Sequence, residues 1–480
     1  MKNFRIVFFV TLASLFASCD DAIDIKQPSE LTPEQTFETV DDLQLGLNGV
    51  YSQVPGENHI YFTSLFTDEV KIGKSNGGQG KDGELAFLLN TNSGDAASIW
   101  VSNYGLINAA NRLIAGAQSI VPTEDESEEY NNILAQAHVL RAFGHFQLLS
   151  YFSPNMADDS SLGVPALDFV PTTKQQLPRN TTGEVFALIE SDLAFADANL
   201  SADLENTLYT GKTGVTSNMI NAFRARMYVY REKYDIAEPY ADAVTGSIAT
   251  FSQYPSVFKD TGTSSEVIWQ LSRVSTTGNF AQYWSSVNST VTGSPFFEVS
   301  TALFNLINDS RDIRRDVIVD PSAAPSYTVR PVGKYSASGG IKLRGNIKVF
   351  RVSEIKFLKA EIFASRGDYA NVVAEINKVL RVRFNPTNSG NITLPANADA
   401  VWAWTTILRE RRKELAFEGH RYVDLRRLGA KAGGVSVDRT VSDFAFNQAF
   451  ELPIDDHRWT LPIPRAESAA NPDIQQNPGY

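Results

Sequence analysis

The chain has 480 residues, with 43 Lys and Arg against 55 Asp and Glu, a formal net charge of −12. Hydrophobic residues at 43% and charged residues at 20% exclude a disordered chain and suit about two to four domains, or one large one. The acidic balance offers no positive field for gripping DNA or RNA, and a single cysteine, Cys19, rules out a disulfide framework.

The first predicted element is a targeting segment. Lys2 and Arg5 precede an apolar run from Ile6 to Phe16, and Ala17 and Ser18 stand before Cys19. That run is shorter than the about 20 apolar residues a spanning helix needs, so residues 1–18 read as a signal peptide. Leu15-Phe16-Ala17-Ser18-Cys19 resembles a bacterial lipobox, which implies that Cys19 becomes an acylated N-terminus. Acyl chains contribute about 0.8 kcal/mol per buried CH₂ and would anchor the protein to a membrane. Asp20 and Asp21 resemble the surface-export signal of Bacteroidota lipoproteins. Residues 19–33 are polar and carry prolines, as a tether does.

Helical periodicity dominates the chain from Phe37 onward. Phe37, Val40, Leu43, Leu47 and Val50 recur at three- and four-residue steps, and Ile99 to Ile114, Ile133 to Phe152, Val185 to Ala198 and Met219 to Tyr230 repeat the pattern. Tyr234, Ala237, Ala241 and Val244 follow a helix ending near Tyr230. Tyr369, Val372, Ile376 and Val379 follow one ending near Ser365, with Gly367-Asp368 between them. These hairpins resemble tetratricopeptide helix pairs, which stack into a curved scaffold. The fold class is therefore mainly α. Residues 249–350 differ: short runs such as Glu266 to Leu271 alternate with Gly, Ser and Thr, predicting irregular loop and short strand over the helical frame.

Three motifs promise chemistry and lack its context. Gly73-Lys74-Ser75-Asn76-Gly77 matches a serine-hydrolase elbow but is followed by a glycine-rich run, where no helix can start. Gly78-Gln79-Gly80-Lys81-Asp82-Gly83 lacks the flanking strand and helix of a dinucleotide site. Gly211-Lys212-Thr213 has Asn206 where a phosphate loop needs glycine. The five histidines, His59, His138, His145, His420 and His457, form no i, i+4 pair for zinc. No catalytic residue, metal or cofactor is predicted.

Several segments together resemble the SusD/RagB family of nutrient-binding outer-membrane lipoproteins. Phe350-Arg351-Val352-Ser353-Glu354, Lys359-Ala360-Glu361 and Gly367-Asp368-Tyr369 are similar to its central helix pair, and the run from Glu410 to Arg427 is its most specific signature. Leu461-Pro462-Ile463-Pro464 and Asn477-Pro478-Gly479-Tyr480 resemble its closing motif. Trp100 to Asn111, Leu140-Arg141-Ala142-Phe143, Gly163-Val164-Pro165 and Ser191-Asp192-Leu193 agree in the N-terminal half. The resemblance divides the chain into an N-terminal region 34–215 and a C-terminal region 216–480 within one compact fold. In the signature, Arg411, Glu414, Glu418 and Arg421 fall on one stripe of a helix beside Leu408, Leu415 and Tyr422. It reads as an architectural charge clamp, because nothing in it resembles a matched acid/base pair.

The resemblance implies a surface-exposed, non-enzymatic lipoprotein that binds oligosaccharides and delivers them to a SusC-like TonB-dependent transporter. The open alternatives are a peptide-binding member and a lipoprotein glycoside hydrolase. Sugar rings suit aromatic plates flanked by amides or carboxylates. Trp100 and Asn103, at the i, i+3 spacing seen in some glycan-binding members, are the first ligand candidates. Tyr61, Phe62 and Asp68, just ahead of the glycine-rich loop, and Tyr283 and Trp284, in a Ser/Thr/Asn-rich stretch, complete the set. Replacing Trp100 or Trp284 by alanine is expected to weaken binding without lowering the melting temperature. Trp269 and Trp459 are expected in the core.

Overall fold

The computed structural model describes residues 36–73, 82–172, 174–201, 209, 211–262, 264–273, 281, 284, 295–338, 341–387, 390–445 and 448–480. The signal peptide, the tether with Cys19, Tyr283, and the glycine-rich motifs beyond Gly73 up to Lys81 lie outside the described residues.

Helix starts follow the local chemistry. Helix α1 (Val40–Ser52) opens on a reciprocal box in which Thr39 and Asp42 cap one another's backbone, satisfying donors that a bare helix start leaves unpaired. Its buried residues are Val40, Leu43, Leu47 and Val50 of the predicted stripe, with Tyr51 beside them, while Phe37 lies ahead of the helix and is only partly buried. Helix α2 (Glu57–Phe66) leads into strand β1 (Val70–Ile72). The long helices α3 (Gly94–Ala117) and α4 (Ser127–Phe152) pack on each other and on α1, and α4 packs on α5 (Thr182–Asn199). Two hairpins follow the expected pattern: α6 (Ser217–Tyr230) with α7 (Tyr234–Ala243), and α8 (Val352–Ser365) with α9 (Tyr369–Arg383). Buried Ala237 and Ala241 let neighbouring backbones approach. Gly367, at φ 74°, takes the left-handed turn between α8 and α9 that a side chain would resist.

The short strands pair across long sequence distances. Strand β2 (Val267–Leu271) lies antiparallel to β4 (Ile347–Arg351), which runs directly into α8. Strand β1 pairs antiparallel with β3 (Phe297–Val299), in register Val70 to Val299 and Ile72 to Phe297. This region is more than loop laid over helices: Ile60, Leu65, Val70, Ile72, Trp284, Phe297, Val299 and Phe417 belong to a second hydrophobic core beside the main helical one. Trp269 and Trp459 are buried in the main core.

The 410–427 signature departs from the single helix expected for it. Helix α10 (Ala400–Glu414) stops, and α11 (Arg421–Leu428) begins after a turn in which Phe417 and Gly419 take φ of 63° and 82°. Left-handed residues end the hydrogen-bond ladder, so the charged side chains cannot pair along one stripe. They reach other elements instead. Arg411 Nε donates to Asp424 at 2.7 Å, and Arg421 grips Asp68 through Nε and Nη2 at 2.9 and 2.8 Å. Arg351 bridges Glu418, Glu414 and Glu266.

Candidate ligand-binding site

The candidates ahead of and within the loop flank are mostly structural. Phe62 is fully buried and stacks on Phe66 with ring centroids 5.0 Å apart, edge-on to Tyr422 at 5.2 Å. Asp68 is also fully buried. Burial alone would raise its pKa, but Arg412 and Arg421 hold the carboxylate well below the usual range. Asp68 also accepts from the Asp438 backbone at 2.9 Å, so it ties β1 to the signature turn. Trp284 is fully buried between Tyr61 at 4.8 Å and Phe417 at 5.8 Å. Of the four described candidates here, Tyr61 alone keeps partial exposure. The sequence reading placed all four in contact with ligand; packing uses three of them instead.

On α3 the spacing decides the outcome. Trp100, Tyr104 and Asn108 follow at four-residue steps along one side of the helix, and Asn103, on the other flank of Trp100, is turned into the interior. Asn103 is fully buried, donates to the Ile99 carbonyl at 2.8 Å and lies 3.3 Å from His59 Nε2. It belongs to the interior. Trp100, Tyr104 and Asn108 line a cavity of about 250 Å³, closed by Pro165, Leu167 and Leu177 of the 165–177 connection and by Glu467 and Asn471. Those last two stand on and just after the short helix α12 (Arg465–Ala470). Asn108 also borders a larger groove of about 820 Å³ between α1 and α3, which is floored by Gly46, Gly49, Gly105 and Gly116 and carries Arg112.

The cavity is held by long-range bonds. Trp100 Nε1 donates to Glu467 Oε2 at 3.2 Å, Tyr104 Oη donates to the Pro165 carbonyl at 3.0 Å, and Asn471 Nδ2 donates to Leu177 at 2.8 Å. Burial and the nearby Glu467 carboxylate push the Tyr104 phenol well above its usual range. Nearby, Arg179 donates to Gly163, Phe152 and Asn477, which fastens the C-terminal motif to the frame. Trp100 itself is 3% exposed, edge-on to Phe152 at 4.9 Å and tilted on Tyr104 at 4.8 Å. Its faces are covered, so it positions Glu467 and fills the core rather than stacking on a ligand. Contrary to the sequence expectation, Trp100→Ala should lower stability by about 3–5 kcal/mol, as core truncations do; an unchanged urea midpoint would return Trp100 to the ligand.

Tyr104, Asn108, Glu467 and Asn471 were not among the sequence candidates. The four-residue step from Trp100 could have found the first two. Nothing local points to the others, since Glu467 lies 367 positions from Trp100. The cavity holds one carboxylate, Glu467, among its lining residues, so no acid faces a second across it. Among the described residues no cluster of three or more His, Cys, Asp or Glu is arranged to hold a metal ion.

Two family models match consecutive parts of the chain. Residues 20–229 match one described as starch-binding and associating with the outer membrane, and residues 322–480 match the SusD family itself. The chain belongs to the SusD family. A SusD-like protein from Formosa agariphila is 24% identical over 536 aligned positions covering 100% of both chains. A SusD superfamily structure from Bacteroides thetaiotaomicron superposes with a TM-score of 0.76 at 24% identity, covering 92% of this chain and 100% of that one. A laminarin-binding SusD-like protein superposes with a TM-score of 0.69 at 21% identity, covering 92% and 100%. SusD proteins share this stack of helix pairs. No helix among the described residues is long and apolar enough to cross a membrane.

Proposed function

We propose that this SusD-family protein is a surface-exposed outer-membrane lipoprotein that holds oligosaccharides by contact and passes them, uncut, to a SusC-like TonB-dependent transporter. The observation that carries the reading is the cavity on α3, where the Tyr104 ring, the Asn108 and Gln175 amides and the Glu467 carboxylate converge. Such a set suits a polyhydroxylated ring with an apolar face. With one carboxylate it lacks the acid and base pair that glycoside hydrolysis uses. The family description as starch-binding and the laminarin-binding structural neighbour support a glycan as ligand. Retention of a polysaccharide without release of smaller products, by the purified mature protein, is the expected result. Product release would make it a hydrolase, and retention of a protein digest instead would make it a peptide receptor.

Cys19 acylation supplies the anchor in this reading. From Cys19 to Thr36, at about 3.3–3.6 Å per extended residue, the tether reaches on the order of 60 Å. That keeps the helical body beside a membrane partner at high effective concentration. Cys19→Ala should move the protein from the membrane to the soluble fraction in cells lacking the partner transporter. Membrane retention of that variant would count against acylation.

A further inference from the structure

The α3 cavity has more acceptors than it can satisfy. Glu467 Oε2 takes the Trp100 N–H, and no second partner for this side chain is found among the described residues. The Tyr104 proton is committed to the Pro165 carbonyl. No Lys or Arg lines the cavity. The nearby Arg179 donates to Gly163, Phe152 and Asn477 and to the Gln475 carbonyl, so its guanidinium is spent on the frame. The donors left at the rim are the Asn108 amide, the Thr172 hydroxyl and the Nε2 of Gln175, whose oxygen accepts from the Thr172 backbone.

We infer that this cavity is a subsite for one neutral sugar ring, and that it discriminates against acidic sugars. The inference rests on the glycan reading above and names the ligand class. A hydroxyl both donates and accepts, so it can serve Glu467 while taking the Asn108 or Gln175 N–H. A uronate or sulfate brings only acceptors and a charge like that of Glu467. Buried polar groups left without partners are what make such a site reject the wrong ligand. The volume of about 250 Å³ falls just below the roughly 300–1,000 Å³ of drug-sized pockets. It takes one ring, and the rest of an oligomer leaves past Asn108 toward the larger groove.

The test uses the full mature chain and calorimetric titration with neutral hexasaccharides (maltohexaose, laminarihexaose, mannohexaose, xylohexaose) and hexagalacturonate. The wild type is expected to bind at least one neutral probe and not hexagalacturonate. Glu467→Gln can still accept the Trp100 N–H, so its melting temperature should hold. Its affinity for the neutral probe should fall about tenfold, as for loss of one charge-assisted hydrogen bond, and its exclusion of hexagalacturonate should relax. If a neutral probe binds wild type and Glu467→Gln alike, the subsite is wrong and the glycan reading stands. If hexagalacturonate binds the wild type as tightly as the best neutral probe, the acceptor argument is wrong. If no probe binds the wild type, the glycan reading itself fails.

Discussion

Arg351→Met is expected to destabilise the protein by about 3–5 kcal/mol, measured as a fall in the urea unfolding midpoint. The Arg351 guanidinium is 1% exposed. It donates to Glu418 through Nε and Nη2, each at 2.7 Å, and to Glu414 Oε1 at 2.9 Å. It also reaches Glu266, Ser353 and the Glu414 carbonyl. Around it, Arg383 pairs with Glu266 and Glu414, and Lys334 pairs with Glu418. Three cations thus face three carboxylates at a junction of β2, β4, α9, α10 and the signature turn. Methionine keeps much of the volume but strands a net negative charge in the interior, and that desolvation is the source of the loss. Arg366→Ala is the matched control. Its side chain is 37% exposed and its partner Asp235 90% exposed, so solvent screening leaves the pair worth about 0–1 kcal/mol. Equal effects of the two substitutions would refute the buried-network account.

Mild acid is expected to destabilise the fold before its ion-paired carboxylates titrate. Burial lowers His59 to about 3 and His145 to about 4 from the ordinary 6.5, and holds His420 well below it. His145 is fixed as a neutral ring, one nitrogen 3.1 Å from the Arg141 carbonyl and the other accepting the Leu167 N–H at 3.1 Å. Below pH 6.5 the unfolded chain gains protons on these three rings that the native state refuses, so native stability falls with pH. Glu69 opposes this. Burial pushes it up to about 7 from 4.5, so between those values the native state holds a proton the unfolded chain has lost. Three groups against one leave two protons, or about 2.7 kcal/mol per pH unit from pH 6 toward 5. Further acid then removes the contribution of Asp68, Glu414 and Asp424, whose pKa values all lie well below those of free carboxylates. An unfolding free energy that stays flat between pH 6.5 and 5 would contradict the histidine account.

The helical stripes were legible because they are local. Val40, Leu43, Leu47 and Val50 repeat with the helix, and Thr39 with Asp42 marks its start; neighbouring residues suffice to find both. The hairpins at Tyr230–Tyr234 and Ser365–Tyr369 were legible for the same reason. The charge pattern of the signature was readable too, but its geometry was not. Phe417 and Gly419 bend the chain, and pairing along one helix became pairing between elements.

Local patterns along the chain suffice for the mainly helical stack, its family and an architectural role for the 410–427 charges. Which polar and aromatic residues face solvent emerges only when the chain folds. Asp68 is as hydrophilic as Glu467, yet the first is sealed against Arg412 and Arg421 while the second stays half-buried at a cavity. The physical reason is that periodicity is set by bonds within a turn of chain. The cost of burying a charge or leaving an acceptor open depends on partners hundreds of residues away, and only folding brings those together.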